Sequence, residues 1–104
     1  MEIEAPHPPI ACTLGESQRY ARQSLIQELF QAAEQIESFD QGIEARFSGN
    51  PEWLRKITNL AVIERECCQF LRFEITAEPE LGPILLRITG PIGTGDFLKT
   101  WVSM

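Results

Sequence analysis

The chain has 104 residues, of which 43% are hydrophobic and 23% are charged, values typical of a folded globular protein. Its formal charge is −6 and its nine basic residues are scattered, which disfavours binding to nucleic-acid phosphates or to an anionic membrane. No apolar run approaches the roughly 18–20 residues that span a bilayer, and the acidic, proline-rich start is unlike a signal peptide, so we predict a cytoplasmic protein.

The first half of the chain predicts a tail, a strand and a long amphipathic helix. Residues 1–8 are expected to form a flexible tail, and residues 9–104 a single domain. Residues 9–14 form a short apolar run, which predicts the first strand. A helix then begins near Glu16, with a core-facing stripe at helical spacing. That stripe comprises Ala21, Leu25, Ile26, Leu29, Phe30, Ala33 and Ile36. The opposite face, which includes Arg22, is predicted to be solvated.

The middle of the chain predicts a strand followed by a second helix. Apolar and polar residues alternate over residues 43–48, which is typical of a half-buried strand. A further short strand over residues 36–39 would complete a hairpin with it. Asn50 and Pro51 then mark a helix start. The apolar stripe of this helix continues by spacing to Glu64, Cys67 and Cys68.

The last third predicts two strands, over residues 70–77 and 84–89, and a final helix from about residue 95 to residue 102. The expected order is β-α-β-α-β-β-α. Strands with one apolar face, covered by helices on that face, predict a two-layer α+β domain with a mainly antiparallel sheet.

Three cysteines stand out as the candidate functional residues: Cys12, Cys67 and Cys68. An odd number of cysteines without an export signal argues against a structural disulfide framework. Thiolates are the ligands that soft divalent metals and trivalent arsenic prefer. Glu64 lies three and four residues before the pair, the spacing that places side chains on one helical face.

A shared metal site requires two local conditions. Adjacent cysteines in a regular helix diverge by about 100°, so the helix must fray for both to reach one ion. Cys12 must also approach Cys67 and Cys68, which it can do if the first and third strands are neighbours. Otherwise the cysteines are redox-active thiols or small buried hydrophobic residues.

Three stretches of the chain resemble a family of small, largely uncharacterised bacterial proteins. The matching stretches are residues 12–14, 64–73 and 86–91. The family's marks are an early Cys-x-Leu, a central Glu-Arg-x-Cys-Cys-Pro-Phe and a late Gly-Pro. This chain has Gln69 in place of the proline, which leaves the thiols intact. Some members of the family are associated with heavy-metal-responsive contexts, which implies that Cys12, Cys67 and Cys68 are soft-metal ligands.

The sequence therefore favours a binding protein for a soft metal or metalloid, namely Hg(II), As(III) or Zn(II), with Cys12, Cys67, Cys68 and Glu64 as ligands. Such a protein would act in sequestration, delivery or sensing. Hydrolysis is not indicated, since the chain's one histidine, His7, lies in the predicted tail and leaves no Ser/His/Asp set. The alternatives are a thiol-dependent redox protein and an interaction module whose cysteines only pack the core. A sheet edge would also allow a homodimer.

Overall fold

The computed structural model describes residues 16–102, which form three helices and four strands. Helix α1 spans Glu16–Ala32, and strands β1 (Gln35–Phe39) and β2 (Gly42–Phe47) follow it. Helix α2 spans Pro51–Cys67, strands β3 and β4 cover Arg72–Ala77 and Ile84–Thr89, and helix α3 ends the fold at Thr94–Val102. None of the three helices in this part of the chain is long and apolar enough to cross a membrane.

The four strands form one antiparallel sheet in the order β1-β2-β4-β3. Strand β2 alternates as predicted, because Ile43, Ala45 and Phe47 are buried. Strand β4 buries Ile84, Leu86 and Ile88 on the same face of the sheet, directly opposite these residues in the antiparallel register. The helices cover this apolar face, and the opposite face carries charged residues. The predicted two-layer α+β architecture is therefore confirmed.

The beginning of the fold refines the expected element order. The first helix precedes the strands of the described chain, and the predicted strand over residues 9–14 and the tail over residues 1–8 lie outside the described residues. The further short strand predicted over residues 36–39 is present as β1, and it forms a hairpin with β2. Helix α1 ends at Ala32, and the Glu34 N–H donates to the Arg46 carbonyl at 2.7 Å. Ile36 therefore belongs to the sheet, although its spacing continues the helical stripe.

Helix α2 begins as its sequence predicts. The Asn50 side chain accepts a hydrogen bond from the Glu52 backbone N–H at 2.9 Å, and Pro51 occupies the first helical position. The helix buries a stripe that runs from its second turn to its end, comprising Ile57, Leu60, Ala61, Glu64 and Cys67. The apolar face that docks the helix on the sheet thus ends in a carboxylate and a sulfur.

Candidate metal centre

The two adjacent cysteines lie at the point where α2 stops being helical. Cys67 is the last helical residue, and Cys68 adopts φ −114° and ψ 73°. The Cys68 N–H still donates to the Glu64 carbonyl, at 2.6 Å, while its own carbonyl accepts from Leu71 N–H at 3.1 Å. This departure from helical geometry brings the two Sγ atoms within 3.5 Å of each other. The condition that the helix must depart from regular geometry for the two sulfurs to approach each other is met at this position.

Glu64 lies one turn earlier on the same face of α2. Its Oε1 atom is 3.9 Å from Cys67 Sγ, and one ligand atom from each of Glu64, Cys67 and Cys68 lies within 4.8 Å of the other two. Glu64 and Cys68 are 0% exposed and Cys67 is 6% exposed. Three of the four predicted ligands are therefore brought together in a buried cluster.

Arg22 on α1 completes the cluster and corrects the sequence prediction. The prediction placed Arg22 on a solvated face, but this residue is only 8% exposed. Its guanidinium donates from Nε to Glu64 Oε2 and from Nη2 to Glu64 Oε1, the latter at 3.0 Å. The same group lies 5.1 Å from the centroid of the Trp101 ring. A bidentate pair of this kind fixes the carboxylate in position as well as offsetting its charge.

One sequence signal could have revealed Arg22. It lies four residues before Ile26, on the face that Leu29 and Phe30 extend, so helical spacing alone places it beside the buried stripe. Its charge favoured the solvated interpretation instead. Ala21, which was predicted to be in the stripe, is exposed.

The environment of Cys68 favours the protonated thiol. Burial raises its pKa to about 12, the negative charge of Glu64 acts in the same direction, and Arg22 opposes both. An ion that binds this sulfur as a thiolate must therefore displace a proton. The cost of that displacement makes binding pH-dependent.

The two cysteines differ in oxidation state. Cys68 is the free cysteine of the described residues, whereas Cys67 is disulfide-bonded. Coordination by Cys67 therefore requires reduced protein. Cys12, the fourth predicted ligand, lies outside the described residues.

Comparison with known proteins found no match to a protein-family model, to a curated protein or to a solved structure. The resemblance carried by residues 12–14, 64–73 and 86–91 therefore stays a prediction.

Proposed function

We propose that the reduced protein binds a soft or borderline-soft metal or metalloid ion through Cys67 and Cys68, with Glu64 as an auxiliary ligand. The observation that carries this proposal is the convergence of two sulfurs and a carboxylate in a buried cluster. Thiolate sulfur is the donor such ions prefer. Sequestration, delivery or sensing are the roles that fit a protein of this size.

The relation between the two long helices supports Cys12 as a third sulfur ligand. Arg22 pairs with Glu64, and Glu28 pairs with Lys56, so α1 and α2 run antiparallel. The start of α1 at Glu16 therefore lies beside the end of α2. Cys12 lies four positions before Glu16, and an extended chain of four residues reaches about 14 Å. A reach of this length, starting beside the end of α2, supports Cys12 as a member of the cluster.

A thiol-dependent redox function is the second candidate, and one observation favours it. The Cys68 thiol lies 3.5 Å from the Cys67 sulfur, which is disulfide-bonded. A thiolate at Cys68 would lie beside the Cys67 sulfur and could attack it, forming a Cys67–Cys68 bond, breaking the existing disulfide and releasing the former partner sulfur of Cys67 as a thiolate. The ring that two adjacent cysteines close is strained. The raised pKa of Cys68 acts against this function, because the thiolate and not the thiol is the nucleophile. Metal binding is therefore the function that the geometry supports better.

A titration of anaerobically reduced protein with Hg(II), As(III) and Zn(II), followed by native mass spectrometry, tests the proposal. We expect one ion to bind per chain with high affinity, and Cys12→Ser to weaken that binding. The matched control is the double variant Cys68→Ser/Ser48→Cys, which keeps three thiols but moves one to an exposed position after β2. Binding that this variant leaves unchanged would show that thiol number alone sets the stoichiometry, and would rule out the shared site.

A further inference from the structure

We infer that the ion selected by this cluster is a tetrahedral, borderline-soft divalent cation, represented by Zn²⁺, rather than a linear two-coordinate ion such as Hg(II). This inference rests on the proposed function and specifies its ligand. Three features of the cluster support it: the spacing of the two sulfurs, the chemistry of the third donor and the charge of the surrounding groups.

The sulfur spacing matches a tetrahedral edge. With Zn–S bonds of about 2.3 Å, tetrahedral geometry places two sulfurs about 3.8 Å apart, whereas a linear ion with similar bonds needs about 4.6 Å. In the described state, in which Cys67 is disulfide-bonded, the distance between Cys67 Sγ and Cys68 Sγ is 3.5 Å. A linear ion would therefore require these sulfurs to separate by about 1 Å, against about 0.3 Å for a tetrahedral one.

The surroundings resist such a separation. Both cysteines belong to the hydrophobic core cluster, and their neighbours in it include Phe70 and Leu71. Two backbone hydrogen bonds, to the Glu64 carbonyl and from Leu71 N–H, hold Cys68 in place. Close-packed protein interiors adjust poorly even to changes the size of a methylene group. The site therefore penalises the wider ligand spacing.

The third donor is an oxygen, which a linear thiophilic ion does not need. Tetrahedral Zn²⁺ accepts carboxylate oxygen beside thiolate sulfur, and ordinary bond lengths then give an S···O edge of about 3.6 Å. The distance from Cys67 Sγ to Glu64 Oε1 is 3.9 Å. Arg22 holds the carboxylate in this position, as hydrogen-bonding partners commonly do for ligating carboxylates.

The charge of the cluster matches a divalent cation. Counted over the described residues alone, which exclude Cys12, two thiolates and the Glu64 carboxylate carry three negative charges, and the Arg22 guanidinium offsets one of them. The remaining two negative charges are buried, and a buried charge without compensation is costly. A doubly charged ion balances these two charges and a singly charged ion does not, so the charge favours a divalent ion, and the sulfur spacing and the oxygen donor then favour Zn²⁺ over Hg(II).

Cobalt substitution and X-ray absorption of the reduced wild-type chain test this inference. Co²⁺ should bind one per chain and give the intense visible absorption of a tetrahedral site, with sulfur-to-cobalt charge transfer in the near ultraviolet. Zn²⁺ should displace it. The X-ray absorption of the Zn²⁺-loaded protein should show four donors that include both sulfur and oxygen. A weak octahedral cobalt spectrum, or a shell of sulfur alone, would overturn the inference.

A matched pair of variants provides an independent test. Glu64→Gln should weaken Zn²⁺ binding by at least about tenfold while leaving Hg(II) binding unchanged. Glu66→Gln removes an exposed carboxylate two residues away and should change neither affinity. Equal loss of Zn²⁺ and Hg(II) affinity in a folded Glu64→Gln protein contradicts the inference. Should Glu64→Gln fail to fold, the wild-type X-ray absorption decides.

The two proposals fail in different ways. One-to-one Hg(II) or As(III) binding that depends on Cys68, without a tetrahedral cobalt spectrum, overturns the tetrahedral assignment and leaves the proposed function standing. Absence of binding by any of these ions to the reduced wild-type protein overturns both.

Discussion

At the scale of single residues, Cys68 makes folding depend on pH in the alkaline range. Burial and Glu64 raise its pKa from 9.0 to about 12 in the folded protein. Between these two values the unfolded thiol releases its proton while the folded one keeps it. The unfolded state then binds fewer protons, so the free energy of unfolding decreases as pH rises from about 9 to 12. Below pH 9 the thiol is protonated in both states and this effect is absent.

Urea unfolding of the oxidised protein across this pH range checks the effect, with Cys68→Ser as the control. We expect the free energy of unfolding of the wild type to fall more steeply above pH 9 than that of the variant. The other titrating groups are common to both proteins, so the difference in slope belongs to the thiol. Parallel curves would contradict the assignment of the raised pKa to Cys68.

At the scale of elements, two ion pairs join α1 to α2 and differ mainly in burial. The side chains of Arg22 and Glu64 are 9% and 0% exposed, whereas those of Lys56 and Glu28 are 34% and 47% exposed. Removing one partner of the buried pair leaves an uncompensated charge inside the protein. We expect Arg22→Ala to lower the free energy of unfolding by about 3–5 kcal/mol and Lys56→Ala by about 0–1 kcal/mol.

Chemical denaturation of the two single variants measures these changes in the free energy of unfolding. The double variant Arg22→Met/Glu64→Leu is measured beside them. The double variant removes both buried charges and fills the space with apolar groups. It should therefore be more stable than Arg22→Ala, because a buried pair replaced as a whole costs little. Similar losses for Arg22→Ala and Lys56→Ala would show that burial of the first pair has no energetic consequence.

The contact between α3 and the β1–β2 turn gives a second prediction at this scale. A Cβ atom on Gly95 would lie 1.8 Å from the Phe39 carbonyl oxygen, and the Gly95 N–H donates to the Asp40 carbonyl at 3.0 Å. Helix propensity alone predicts that alanine stabilises a helical glycine position by up to about 1 kcal/mol. We expect Gly95→Ala to destabilise instead, by about 1–3 kcal/mol.

Thermal unfolding measures the sign of this change directly. Thr100→Ala, an exposed substitution on the same helix, should alter the free energy of unfolding by no more than about 0.5 kcal/mol. A Gly95→Ala protein more stable than the wild type would contradict the close approach of α3 to the turn.

At the scale of elements, the sequence predicted the structure correctly wherever only one pattern was present. Asn50 and Pro51 fixed the start of α2, and strict alternation fixed the buried face of β2. The pattern was wrong where two interpretations competed. Ile36 continues a helical stripe by spacing, yet hydrogen bonding to β2 places it in a strand. Arg22 has a charge typical of the surface, yet its buried partner Glu64 lies 42 residues away in the sequence. Local periodicity gives no information about contacts at that separation.

The candidate site was predictable to a similar degree. The continuation of the α2 stripe placed Glu64, Cys67 and Cys68 together, because all three follow from one helical period and a frayed end. The role of Arg22 was not predictable in this way, since it depends on how α1 packs against α2. The disulfide state of Cys67 likewise depends on tertiary proximity and not on local pattern.

At the scale of the whole molecule, ion binding should raise the stability of the reduced protein. The ligands come from the end of α2, and Glu64 is held by α1, so a bound ion would stabilise the packing of both helices. At a free Zn²⁺ concentration one hundred times the Kd, linkage adds about 2.7 kcal/mol. We expect the Tm of the reduced wild type to rise with added Zn²⁺.

Differential scanning calorimetry with and without Zn²⁺ checks this expectation. The double variant Cys68→Ser/Ser48→Cys should show no such rise, because its third thiol lies outside the cluster. The oxidised wild type should also respond less, since Cys67 is then disulfide-bonded. An equal rise in all three samples would indicate stabilisation through sites elsewhere on the chain.

The complete burial of Glu64 and Cys68 has a kinetic consequence for any ion that reaches them. Solvent and competing ligands can contact these atoms only when the structure around the end of α2 opens locally. The rate of exchange is then set by that opening event and by the protein's local stability, and not by diffusion. A bound ion would accordingly have a long residence time. A chelator added in excess would remove the ion no faster than the rate of this local opening.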